Sequence, residues 1–215
     1  WLRQAHDRLE PHARAAHAWA AGDVGAAVKA TLDAARRDAR RGLHDAAAAL
    51  LADTLQRLPA DDEHRAGLHA ARAQVWLQQA RFGEADDEAL RALSELPTPA
   101  QRALALSVRA DLALHQGRLA DVPPLLDEAL AADPNHSETW MIRVHWTHAQ
   151  GDYPGGESML RERLRRLRAE RPGPELVEVL TSLGSFIDFQ GRHREALPLH
   201  REALALARRL GSRYA

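Results

Sequence analysis

Gly117-Arg118-Leu119-Ala120-Asp121-Val122 begins a stretch that runs through Leu126, Ala129-Leu130, Asp133-Pro134-Asn135 and Trp140 and ends at Gly151-Asp152-Tyr153. Its two turn glycines, Gly117 and Gly151, stand 34 residues apart. Each follows a run with the apolar spacing of a helix. Each fits a chain reversal in the left-handed region, which a residue with a Cβ enters only at a cost. Pro134 is tolerated in the first turn of a helix and not in its interior. Asn135, with Glu138 three residues on, reads as a reciprocal N-cap. One helix therefore leaves Gly117 and stops at Asp133-Pro134, and a second runs from there to Gly151. A helix pair this short cannot bury its own apolar face. Copies repeated at this period stack and complete one another's core.

The same punctuation extends in both directions. Gly42 stands to Pro59 as Gly117 stands to Pro134, so helices over 24–41 and 43–58 form one repeat. The helix over 2–21, kinked at Pro11 and turned by Gly22-Asp23, is then the second helix of a preceding one. Asp61-Asp62-Glu63 puts acids at the positive end of a helix over 62–80. Ala80 stands where the turn glycine is expected, and Arg81 to Pro97 carries the partner helix. Further helices are predicted over 99–116, 119–132 (regular only after Pro123-Pro124), 135–150, 156–170 (delayed by Pro154-Gly155-Gly156), 175–190 and 193–210, with a loop at Arg171–Pro174. The expected fold is all-α, a right-handed α-α superhelix of about eleven antiparallel helices. It forms a single solenoid domain over 1–215, paired as 24–60, 62–99, 100–134, 135–171 and 175–211 after the leftover helix 1–22. A chain that opens on Trp1 with an unpaired helix is expected to be a piece of a longer protein.

Composition narrows the function classes. Of 215 residues 45% are apolar, enough for a sizeable core, while aromatics make up 5% and no alternating Val/Ile/Thr run reads as a strand. The net charge of −1 gives no global field for nucleic acid, and direct nucleic-acid binding by this segment is not expected. With no cysteine there is no disulfide framework and no thiolate metal site, in keeping with a cytoplasmic protein. No apolar run approaches membrane-spanning length, so no membrane contact is expected.

Trp140, Leu183-Gly184 and Gly151-Asp152-Tyr153 fall on the Trp, Leu-Gly and Gly-Asp-Tyr positions of a repeat pattern. Ala85 and Ala196 take its second-helix alanine, Ala92, Ala129 and Ala203 its later one, and Pro59, Pro97 and Pro134 its terminal proline. In this the chain resembles the tetratricopeptide repeat (TPR) family, although no single repeat carries every element. The resemblance implies a solenoid whose first helices form a concave face that binds peptides or other domains. Carried over by repeat position, that partner-binding groove includes Gln74, Gln78, Ser107, Asp111, His115, Met141, His145, His148, Ser185, Asp188 and Phe189. Met141, His145 and Phe189 are expected at its centre. A protein or peptide is the expected partner and a small effector a second class. Met141 and His145 stand where one repeat of the chaperone-binding subset would need its Lys and Asn clamp. A narrower likeness lies in the Gly22-Asp23 hairpin, the Ala-rich second helix and the closing Ala203–Gly211. These are similar to the repeats of large bacterial signal-transducing ATPase regulators of the LuxR type. That implies the sensor or interaction segment of a transcriptional regulator, with a free-standing adaptor as the alternative.

Chemistry-bearing residues are plentiful and poorly arranged for catalysis. His145 and His148 share a helical face, but a zinc site needs a third ligand, for which Asp111 or Asp188 would have to come near. The bland reading, groove residues and no metal, is preferred. His6, His12 and His17 do not share one face. No phosphate-binding Gly-rich loop or nucleophile elbow occurs, and Lys29 is the only lysine. No catalytic residue and no cofactor is therefore expected. The basic run Arg161–Arg168 is interleaved with Glu162 and reads as a solvated face, and Arg36, Arg37, Arg40 and Arg41 sit where a helix C-terminus favours cations. Arg72, Arg109 and Arg143 each fall eight residues before their repeat's turn. They form either a ladder for carboxylate or phosphate, or a ladder of bridges to acids on adjoining helices.

Overall fold

The structure, a computed structural model, describes residues 10–169 and 173–210. Residues 2–9 of the first predicted helix, His6, Arg171-Pro172 and Gly211 lie outside the described residues. Among those described there are eleven α-helices and no strand. They are α1 (Pro11–Ala20), α2 (Val24–Arg40), α3 (His44–Arg57), α4 (Arg65–Gln78), α5 (Phe82–Ser94), α6 (Pro99–His115), α7 (Val122–Ala132), α8 (Ser137–Ala149), α9 (Tyr153–Arg168), α10 (Pro174–Phe189) and α11 (His193–Arg209), with a 3₁₀ turn Leu119–Asp121 before α7. The expected all-α, TPR-like solenoid of antiparallel helix pairs is the fold observed.

The breaks follow the predicted chemistry. Gly117 and Gly151 adopt φ of 69° and 70°, and Ala80, at the corresponding turn, adopts 56°. Three boundaries differ from the sequence reading. Pro11 opens α1 in its first turn instead of kinking it. Tyr153 starts α9 earlier than expected, because Pro154 lies within the first turn, where its missing N–H is no loss, and Asp152 caps the helix by accepting from the Gly155 N–H. α7 opens at Val122 with Pro123-Pro124 inside its first turn, where the sequence reading expected regular helix only after them.

Contacts divide the chain into two compact units, residues 1–139 and 140–215. In the first, α1 to α7 pack in sequence, and α4 also packs on α2 and α6, the first helices of the flanking pairs. Its core joins Leu51, Leu55 and Leu68 to a layer of alanines, among them Ala70, Ala85, Ala89, Ala92 and Ala105. The small alanine side chains let these helices approach closely. In the second unit α9, α10 and α11 pack in sequence around Leu160, Leu180, Leu183, Phe186 and Ile187. Ala85, Ala92, Ala129, Ala196 and Ala203 are all buried. Gly184 has a close-packing reason: a Cβ there would stand 2.5 Å from the His200 ring of α11. Trp140 is half-buried against Met141, Val144 and Met159, with the Arg163 guanidinium 6.0 Å from its ring.

Candidate functional site

In the first unit the inner helices α2, α4 and α6 line an open trough of about 660 Å³. Helical spacing explains its walls. On α4, Gly67, Ala71, Gln74, Val75 and Gln78 recur at intervals of three and four and share one face. On α2, Leu32, Ala35, Arg36, Ala39 and Arg40 do the same. Thr98, Ala100, Gln101 and Leu104 come from the start of α6, and His136 and Glu138 complete the lining. Thr98 and Gln101 form a capping box, each side chain bonding the other's backbone N–H. That box fixes the Gln101 side chain across Gly67, where an added Cβ would meet its Nε2 at 2.6 Å. The floor is thus aliphatic, the walls carry side-chain amides, and one rim is cationic.

Of the expected groove residues, Gln74 and Gln78 lie in this trough. Ser107 does not belong to any open face: it is 1% exposed and its hydroxyl donates to the Leu104 carbonyl. Asp111 and His115 sit one turn apart on α6, with His115 Nδ1 2.9 Å from the Asp111 carbonyl. In the second unit, Met141 lines a hollow of about 10 Å³ beside Trp140, which is packing space and not a ligand pocket. His145 is exposed. The Ser185 hydroxyl donates to the Thr181 carbonyl. Asp188 lies 2.9 Å from His193 Nδ1 and 3.0 Å from His200 Nε2; hydrogen bonds from these two rings hold its carboxyl below the usual range. His148 and Phe189 come together with Tyr153 and the buried Phe186 in a ring cluster. Phe189 stacks on Tyr153 with centroids 5.3 Å apart, lies 4.8 Å from His148, and remains 58% exposed.

At two positions of the arginine ladder the guanidinium groups bond acids of the adjoining helix. Arg72 donates to Glu88 at 2.5 Å and Arg109 to Asp86 at 2.9 Å. Both acids lie on α5, the helix between α4 and α6, so these guanidinium groups bridge neighbouring helices. Arg143 belongs to the second unit. Glu88 also accepts from His69 at 2.7 Å and from Arg91 at 3.1 Å, and its side chain is only 4% exposed. Burial pushes its carboxyl up, but the hydrogen bonds and charges of His69 and Arg72 outweigh burial and hold it below the ordinary range. Among the described residues, no group of three or more His, Asp or Glu is placed to hold a metal ion, and no helix is long and apolar enough to cross a membrane.

Reading by repeat position found the inner helices but missed Arg36, Arg40, Gln101 and the Tyr153–Phe186 pair. The i, i+4 spacing of Arg36 and Arg40 beneath Leu32 was the available signal for the first two. The ring cluster required the register of α9 against α10.

No protein-family model matches the sequence, and no curated protein matches it. Solved structures do. The chain is similar to BtubC (BKLC) from P. vanneervenii, with a TM-score of 0.69 at 15% identity over 99% of this chain and 92% of that one. It is also similar to TTC0263, a thermophilic TPR protein in Thermus thermophilus, with a TM-score of 0.63 at 20% identity over 84% of this chain and 91% of that one. MamA aligns with a TM-score of 0.54 at 12% identity over 82% and 96%. At these identities the likeness establishes the fold, a TPR-like α-solenoid.

Proposed function

We propose that the protein is a non-catalytic interaction scaffold whose inner trough between α2, α4 and α6 receives an extended peptide segment of a partner protein. The trough itself carries this reading: it is open and floored by aliphatic side chains, with Gln74 and Gln78 available to bond a peptide backbone. TTC0263, one of the similar structures, is described as a TPR protein, which supports a scaffold role for this fold. The exposed Phe189 ring, stacked on Tyr153 beside His148, is a second contact surface on residues 140–215, and it takes over from Met141 as the apolar centre there. The finer reading is the sensor segment of a bacterial transcriptional regulator. It rests on the Gly22-Asp23 hairpin, the Ala-rich α2 and the Ala-Leu repeats of α11; coding sequence for an ATPase or helix-turn-helix beside this segment is its expected sign, and a free-standing adaptor has neither.

The test of the trough is a Gln78→Trp/Ala100→Trp variant. Both positions are exposed at the mouth, so the added indoles fill the trough without entering the core. Peptides selected on the wild-type protein should bind this variant at least about tenfold more weakly. Equal binding would remove the trough from the account.

A further inference from the structure

The rim of the trough has a chemistry that its floor does not. Arg36 and Arg40 stand one helical turn apart on the inner face of α2 and line the trough. The same two residues, with Arg37, Arg41 and Asp33, line an adjoining hollow of about 370 Å³ at the C-terminal end of α2. Four guanidinium groups thus meet one carboxylate there, and that carboxylate is shared: Asp33 lies 3.6 Å from Arg14 and 3.9 Å from Arg36. Arg37 is paired with Glu10. The side chains of Arg40 and Arg41 make no ion pair or hydrogen bond among the described residues, and both are exposed.

The whole chain carries a formal charge of −1, so this concentration of cations is local and not a reflection of a basic protein. A helix C-terminus favours cations and accounts for part of it. The dipole does not account for two arginines turned onto the trough-lining face, where Leu32, Ala35 and Ala39 are apolar. At the other end of the lining, Glu138 lies 3.5 Å from His136, so the cationic rim is confined to the α2 side.

We infer that the trough selects an extended acidic peptide, with apolar residues seated between α4 and α6 and a cluster of Asp or Glu side chains over Arg36 and Arg40. This rests on the reading of the trough as a peptide site and adds the charge and the polarity of its occupant. Guanidinium groups bond carboxylates in a bidentate fork; Arg40 has no ion pair to give up, and Arg36 gives up only a 3.9 Å contact to an Asp33 it shares with Arg14. A peptide is favoured over nucleic acid because the cations form one cluster at the end of an aliphatic channel, with no stripe of cations along it and no aromatic platform in its lining.

The experiment selects dodecapeptides from a random phage library on the full chain and measures the selected peptides by fluorescence anisotropy. The binding proteins are wild type, Arg36→Gln/Arg40→Gln, Arg36→Glu/Arg40→Glu and the trough-filling Gln78→Trp/Ala100→Trp variant. The expected result is a selected set enriched in Asp and Glu. Its binding should weaken at least about tenfold in the Gln variant and further in the Glu variant, with unchanged melting temperatures. Raising NaCl from about 50 to about 500 mM should weaken the wild type much more than the Gln variant. Selected peptides that lose binding in the Trp variant but carry no acidic enrichment, or ignore the arginine substitutions, would overturn the inference and leave the trough reading standing. Peptides indifferent to the Trp variant, or no selected peptides at all, would overturn both. A labelled oligothymidylate bound as tightly as the acidic peptides at about 150 mM NaCl would assign the arginines to nucleic acid and overturn the inference.

Discussion

Ala80 carries φ of 56° where the equivalent turns use Gly117 and Gly151, and it is the one non-glycine residue among those described with positive φ. An L-residue pays roughly 1–2 kcal/mol for that region, whereas glycine enters it freely and loses only backbone entropy on folding. Ala80→Gly should therefore stabilise the protein by about 1 kcal/mol in urea denaturation. A loss of stability would mean that the Ala80 methyl makes a packing contribution larger than its strain. Trp140 tests a different residue-scale idea. Its ring is half-buried beside Met141, Val144 and Met159 and serves packing rather than ligand contact. Trp140→Ala should cost about 3 kcal/mol and leave peptide affinity unchanged at temperatures where the variant is folded. Weakened binding with unchanged melting would make Trp140 a contact residue instead. Turn glycines, buried alanines and terminal prolines were legible in the sequence because each answers to a local constraint. Ser107 was misplaced because repeat position gives only an approximate helical face, and a small hydroxyl that bonds its own helix can point inward.

At the scale of the element, α5 is held between α4 and α6 by charge as well as by alanine packing. Glu88 gathers His69, Arg72 and Arg91, while Asp86 takes Arg109 from the other side. Removing one member of such a buried set leaves uncompensated cations, so Glu88→Gln should cost about 3 kcal/mol at neutral pH. The pH dependence has a definite sign. The folded carboxyl titrates below its ordinary value of 4.5, so the unfolded chain binds more protons between the two values. The stability that Glu88 contributes is complete above about pH 4.5 and falls away as the pH drops through the lower folded value. Urea denaturation across that range should show a steeper acid loss for wild type than for Glu88→Gln; parallel curves would mean the carboxyl is not held down. The arginine spacing of Arg72 and Arg109 was readable from sequence, but its purpose was not. Anion site and interhelix bridge demand the same residue, and the acids that Arg72 and Arg109 bond on α5 come into view only with its position.

For the molecule as a whole, the sequence period predicted an α-solenoid of helix pairs, and the helices, their order and their breaks agree with it. What the period could not supply is which inner-face positions are open. That depends on how far α2, α4 and α6 stand apart, on small residues such as Ala71, and on side chains such as Gln101, which fills the space over Gly67. The central claim is that a partner's peptide lies in that space. Photo-crosslinking states it most directly: a selected peptide carrying a benzophenone at its central residue is irradiated on the full chain, and the attachment points are read by mass spectrometry. The account predicts attachment within residues 71–78 of α4 and 98–104 at the start of α6. Attachment to the outer helices α3, α5 and α7, or to the Phe189 ring cluster alone, would contradict it.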